Sequence, residues 1–278
     1  MVQTELADLL EKHEETGNAE SARCIGGEIL DRGDALLIFS RAEFGAGLNF
    51  ACRVRSDETQ IEALVDDVCR WFTQRGVAPH IRVSPLTRPA ALADILQRRG
   101  FVSTEAETQM VLAGEDTERL ADSADRITIR QIEKHEVDRW VEIQHRGFGM
   151  GMPSKNAMDL AHATIDFGGI RPHLARLDGE PVGAGKLIEW QGVFGIYGVS
   201  VLPEARGCGV GTALVRQMIR DARARGDARA HDDAPICLQA ETGADTQRWY
   251  ERLGFRVVYD RTGWTLDKST SGSEHGNH

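Results

Sequence analysis

A chain of 278 residues, 41% hydrophobic and 27% charged, has enough apolar surface for a core in each of two ordinary domains, which excludes global disorder. Its formal net charge is −10 and its Lys and Arg residues are scattered, so a counterion-releasing surface for nucleic acid is excluded as a partner site. The five cysteines, Cys24, Cys52, Cys69, Cys208 and Cys237, are widely spaced with no Cys-x-x-Cys pair, and neither disulfides nor a metal site is expected.

The first twenty residues are acidic and amphipathic and lack the basic start and apolar core of a signal peptide. No run of about 18 apolar residues follows, so the expectation is a cytoplasmic protein with no membrane partner. Short β-branched or apolar runs predict strands over 24–30, 35–40 and 48–54, the first two joined by a turn at Asp31 to Asp34. A helix over 59–75, a strand over 80–84, a helix over 89–99 and a strand at 107–112, after Gly100-Phe101, complete the first half. Residues 113–125, AGEDTERLADSAD, read as a linker.

The second half repeats this order. A strand at 127–132 and helices near 137–145 and 156–167 precede three strands, 173–177, 180–190 and 193–201, joined by short connections in the manner of an antiparallel meander. A helical face then begins at Val210 and continues through Leu214, Val215, Met218 and Ile219 until Arg225-Gly226. Strand 235–240, helix 245–254 and two strands, 255–260 and 263–267, follow, and the polar tail 269–278 is expected to be disordered. LQRRGF at Leu96 to Phe101 matches YERLGF at Tyr250 to Phe255, each closing a helix with Gly and opening a strand with Phe. Hexamer and element order together point to one fold used twice, as domains 1–120 and 125–268.

Between strand 193–201 and the helix at Val210 lies Arg206-Gly207-Cys208-Gly209-Val210-Gly211. Glycines here let the backbone take positive φ and admit phosphate oxygens, and the helix start behind them leaves amides free for a diphosphate. A P-loop needs Lys after its last glycine, where this chain has Thr212. A dinucleotide fingerprint reads G-x-G-x-x-G in a parallel unit, whereas this loop reads G-x-G-x-G after a meander.

The segment Val201 to Gly211 resembles motif A of the GCN5-related N-acetyltransferases (GNAT), with its Arg/Gln-x-x-Gly-x-Gly/Ala pattern, and Arg248-Trp249-Tyr250-Glu251-Arg252-Leu253-Gly254-Phe255 resembles their motif B. The resemblance covers about residues 126–267. It implies an α/β (α+β) chain of two tandem GNAT-like domains, each a mixed, mostly antiparallel sheet flanked by helices. It also implies acetyl-CoA as cosubstrate, held by Val199, Val201, Arg206, Gly207, Cys208, Gly209, Val210, Gly211 and Thr212, with the strand before the loop splayed from its neighbour to take the pantetheine arm. Tyr250 falls where the family has the acid that protonates the CoA thiolate. The family often has Asn seven residues earlier, where this chain has Gly243.

The first half has Arg55-Ser56-Asp57-Glu58-Thr59 in place of the glycine loop and Leu96 in place of Tyr250, so it reads as a degenerate, structural copy. Glu241 and Glu189, near the ends of their strands, are the carboxylates considered as base for the amine nucleophile, with His145 and His173 as weaker candidates. Cys208, at a helix start, needs no covalent role where an amine attacks the thioester directly. The expected reaction is acetyl transfer from acetyl-CoA to a primary amine of a small molecule in a ternary complex, by a monomer or homodimer. The acceptor stays open among aminoglycosides, polyamines, amino acids and protein N-termini. The competing reading is a non-catalytic acyl-CoA-binding or regulatory module.

Overall fold

In a computed structural model of the chain, residues 3–113, 126–166, 168–225 and 234–267 are described. The linker expected at 113–125 lies outside them except for Ala113, and the helix end at Gly226 and the tail lie outside them entirely. Two compact units divide the described residues. Unit 1 takes residues 3–109, 240–247 and 257–267, and unit 2 takes the rest.

Unit 1 opens with α1 (Gln3–Cys24), a 22-residue helix, so that β1 (Glu28–Asp31) starts four residues later than the apolar run suggested. Then come β2 (Leu36–Phe39), the single turn α2 (Gly45–Leu48), β3 (Phe50–Cys52), α3 (Ile61–Thr73), β4 (His80–Val83), α4 (Leu92–Arg98) and β5 (Phe101–Leu112). In α3 the apolar residues Ile61, Leu64, Val65, Val68 and Phe72 recur at helical spacing, and all are buried in one cluster with Leu37, Ile81, Leu92 and Leu96. With β11 (Phe255–Leu266) included, the strand order in this unit is β1-β2-β3-β4-β11-β5.

Strand β11 (Phe255–Leu266) corrects the sequence reading of two short strands. No break separates them: Gly263 pairs with Arg82 in an antiparallel ladder to β4, flanked by Thr262–Val83 and Trp264–Ile81. A Cβ at Gly263 would lie 2.6 Å from His80 Cε1 and 2.8 Å from Glu105 Cδ, so glycine is there for close approach.

Unit 2 holds β6 (Ile127–Gln131), α5 (Val137–Gly147), α6 (Lys155–Ile165), β7 (Ile170–Leu177), β8 (Glu180–Trp190), β9 (Val193–Val201), α7 (Val210–Arg225) and the greater part of β10 (Ile236–Glu241) and α8 (Asp245–Arg252). β7 to β9 form the expected antiparallel meander, β6 pairs antiparallel with β7, and β10 runs parallel to β9. Val210, Leu214, Val215, Met218 and Ile219 of α7 are all buried. On the opposite face Val137, Trp140, Val141 and Ile143 of α5 close over Leu174, Ala184 and Leu202. Among the described residues no helix is long and apolar enough to cross a membrane, and no group of three His, Cys, Asp or Glu side chains is placed to hold a metal ion.

Candidate active site

The site grows from a defect in β9. Along β8, Ala184 and Lys186 are two residues apart, yet they face Ser200 and Tyr197, which are three apart. The extra residue makes a bulge at Gly198-Val199. Gly198 has φ 61° there, and a Cβ on it would stand 2.4 Å from Gln144 Nε2, which donates to the Gly198 carbonyl at 2.8 Å. A bulge bends its strand, and the parallel pairing of β9 with β10 runs from Phe194–Ile236 only to Ile196–Leu238. From Tyr197 to Val201 the two strands part, and the half-buried Val199 and Val201 lie on that stretch.

Leu202 continues the ladder to β8 through a 2.9 Å bond from its amide to the Val182 carbonyl, and a 3₁₀ turn over Pro203–Ala205 leads to the glycine loop. Gly207 and Gly209 take φ 78° and 84°, and a Cβ on Gly207 would meet nothing within 4 Å. Their positive φ is a conformation that other residues adopt at a cost. Gly211 differs from the expectation. It is helical, and a Cβ there would make ordinary contacts of 3.5 Å with Trp249 and Val201.

The first bond of α7 joins the Ala213 amide to the Gly209 carbonyl at 3.0 Å, so the amides of Val210, Gly211 and Thr212 precede the ladder at the positive helix end. Arg206 braces the loop, its guanidinium donating to the carbonyls of Gly147 at 2.7 Å and Val201 at 3.3 Å. Thr212 Oγ1 accepts from Trp249 Nε1 at 3.3 Å, which ties α7 to α8. Cys208 is exposed, and its thiol lies 3.9 Å from the Arg206 carbonyl.

Tyr250 is 8% exposed, with its ring edge-on to Phe255 at 5.9 Å and tilted against Trp249 at 4.6 Å. Among the described residues no hydrogen bond reaches its hydroxyl. Burial pushes its pKa up to about 12, so the phenol is a proton donor at neutral pH. Tyr250 thus belongs to the same unit as the loop, tied to it through Trp249 and Thr212.

The acidic candidates are placed differently. Glu189 faces Phe194 at the β8-β9 hairpin end, seven positions along β9 from Val201, roughly 23 Å away at the usual strand rise. It is also ion-paired with Arg171 at 2.9 Å. The fold does not bring it to the loop. Glu241 is exposed at the end of β10 and belongs to unit 1. His173 is fully buried, with Nε2 2.7 Å from Asp221 Oδ2 and Nδ1 2.9 Å from the Arg171 carbonyl, a satisfied structural histidine. His145 is half-buried, and burial lowers its pKa. Its Nδ1 has no hydrogen-bond partner among the described residues.

Gln144, the Gly198 bulge and the brace made by Arg206 were missed in the sequence. Of the two glycines inside the strand pattern VFGIYGVSV, Gly195 pairs regularly with Ile188 and Gly198 is the one that marks the bulge.

The family profile of the acetyltransferase (GNAT) domain matches residues 170–257, from β7 through the start of β11. None of the curated proteins compared matches the chain. Among solved structures the fold is similar to that of a GCN5-related N-acetyltransferase from Kribbella flavida, with TM-score 0.68 and 15% identity over 92% of this chain and 94% of that one. It is similar also to a GCN5-related N-acetyltransferase from Sphaerobacter thermophilus, with TM-score 0.65 and 17% identity over 85% and 81%. A tandem GNAT protein from the clavulanic acid biosynthesis pathway aligns with TM-score 0.58 and 14% identity over 86% and 78%. Motif, parted strands and family profile coincide on one segment, and residues 170–257 of this chain match the GNAT acetyltransferase domain.

Proposed function

We propose that the chain is an N-acetyltransferase that passes the acetyl group of acetyl-CoA to a primary amine of a small molecule by direct attack. The observation that carries this reading is the end of β9-β10 pairing at Ile196–Leu238 immediately before a glycine loop with two positive-φ residues. Parted strands leave backbone groups for a pantetheine arm, and the amides ahead of α7 suit its diphosphate. In this reading Val199 and Val201 line the arm, Gly207 to Thr212 hold the phosphates, and Arg206 acts by fixing the loop. Tyr250 protonates the departing thiolate.

The first half we read as a degenerate copy, domain 1–120 against 125–268. Helix α4, Gly100 at φ 82° and β5 repeat α8, Gly254 at φ 94° and β11, which supports duplication. Leu96 is fully buried, and the loop ahead of α3 offers Asp57 and Glu58 where a diphosphate would need glycine amides.

Calorimetric titration of acetyl-CoA into the full chain and Gly209→Glu, followed by thiol-release turnover with a pooled amine library, tests the reading. One binding site that Gly209→Glu abolishes, with turnover by wild type, is expected. Binding without turnover on any amine would favour a non-catalytic acyl-CoA-binding module, and no binding would overturn both.

A further inference from the structure

The acetyltransferase reading needs an acceptor for the nucleophile's proton, and Glu189 is remote from the loop and ion-paired. Lys186 stands nearer the chemistry. It lies in β8 directly opposite Tyr197, the residue at which β9 begins to part from β10, and beside the bulge.

Its face of the sheet follows from its neighbours. Positions 183 and 185 point at Val210, Leu214 and Met218 of α7, while Ala184 packs with Val137, Trp140 and Val141 of α5. Strand side chains alternate, so Lys186 is on the α5 face. Helix α5 lies close over this stretch, with Trp140 Nε1 donating to the Gly185 carbonyl at 3.1 Å and Gln144 donating to Gly198.

Among the described residues Lys186 Nζ makes no ion pair and no hydrogen bond. The residue opposite it on β7 is Pro172 and on β9 is Tyr197. Of the titratable groups on α5, Asp138 is held by His162, Arg139 and Glu142 by each other, and Arg146 by Glu204, which leaves His145. Lys186 is half-buried, and burial without a counter-charge among the described residues lowers its pKa, as it lowers that of His145. A desolvated amine of this kind is a base at a pH where an ordinary lysine is an acid.

We propose that Lys186 is a catalytic residue, the proton acceptor for the amine substrate, placed on the α5 face where β9 leaves β10. As the acceptor nitrogen forms its bond to the thioester carbonyl carbon, its N–H proton passes to neutral Lys186 Nζ. The C–S bond breaks, and the thiolate takes the Tyr250 proton. Lys186 then loses its proton to solvent and the phenolate regains one, so the net products are the amide and CoA.

The test uses the full chain with the acceptor found in the amine screen. Turnover is followed against pH for wild type, Lys186→Gln and Lys186→Arg, and acetyl-CoA affinity is measured for each. Lys186 reactivity toward acetic anhydride is followed against pH by peptide mass spectrometry. Expected are a fall in kcat of about 100-fold or more in Lys186→Gln, loss of the acidic limb of its profile, unchanged acetyl-CoA affinity and no rescue by the permanently charged Lys186→Arg. Labelling of Lys186 should titrate below the ordinary lysine range. Wild-type turnover with its acidic limb retained in Lys186→Gln, or labelling at the ordinary lysine pH, overturns this proposal alone. Absence of turnover by wild type on every amine overturns the acetyltransferase reading and takes this proposal with it.

Discussion

The role proposed for Tyr250 rests on how its side chain is packed. Apolar walls from Trp249 and Phe255 strip water from the phenol, the pKa rises to about 12, and the hydroxyl is left without a protein partner among the described residues. A phenol in that state stays protonated until a strong base forms beside it, and in the proposed reaction that base is the sulfur gaining charge as the C–S bond breaks. Tyr250→Phe keeps the ring and its contacts while removing the proton. We expect kcat to fall about 100-fold with acetyl-CoA affinity unchanged, measured by steady-state turnover beside calorimetry. Unchanged kcat would remove Tyr250 from the mechanism. Tyr250 and the glycine loop were legible in the sequence because motif spacing fixes them locally. Lys186 and Gln144 were not, because their importance comes from strand register and helix packing, which no local pattern carries.

At the scale of elements, β11 marks where local reading fails. Arg261-Thr262 reads as a break ahead of Gly263, since glycine weakens a strand and often ends one. The backbone instead runs straight through, because Gly263 lets His80 and Glu105 approach where any side chain would collide. The bounds of β8 and the start of α7 were legible from their own periodicity, whereas the continuity of β11 depends on its partner β4. Gly263→Val should therefore destabilise unit 1 by about 1–3 kcal/mol through overpacking, despite the higher strand propensity of valine. Urea unfolding followed by the fluorescence of Trp71 and Trp264, both packed with the unit 1 core, reads the effect. A variant as stable as wild type would show that the space at this position yields at no cost.

For the whole molecule, the two units carry opposite electrostatic devices. In unit 2, Glu136 accepts from Arg130, the Glu133 amide and Arg176, which hold its pKa down to about 2. Its ionised form is favoured by folding, so that contribution is present above the ordinary carboxylate pKa and is lost as pH falls toward 2. In unit 1, α1 buries Glu14 and Glu15 side by side. Glu14 is paired with Arg82 at 3.0 Å and with Arg261, which keep it ionised. Glu15 has Arg53 at 3.9 Å and a side-chain hydrogen bond with Cys52, and its Oε1 is buried without a hydrogen-bond partner among the described residues. Burial, with the charge of Glu11 beside it, pushes its pKa up to about 8. Between the unfolded value of 4.5 and about 8 the folded chain holds a proton that the unfolded chain has released, so stability falls as pH rises through that window. Raising pH from 5.5 to 8.5 should therefore loosen α1 while leaving α5 protected. Amide hydrogen exchange, corrected for the intrinsic rate at each pH, should show lost protection in α1 peptides of wild type. Glu15→Gln, neutral at every pH, should hold its α1 protection constant. Equal pH response of α1 in wild type and Glu15→Gln would mean that Glu15 is already ionised in the folded chain, with water or an ion on Oε1.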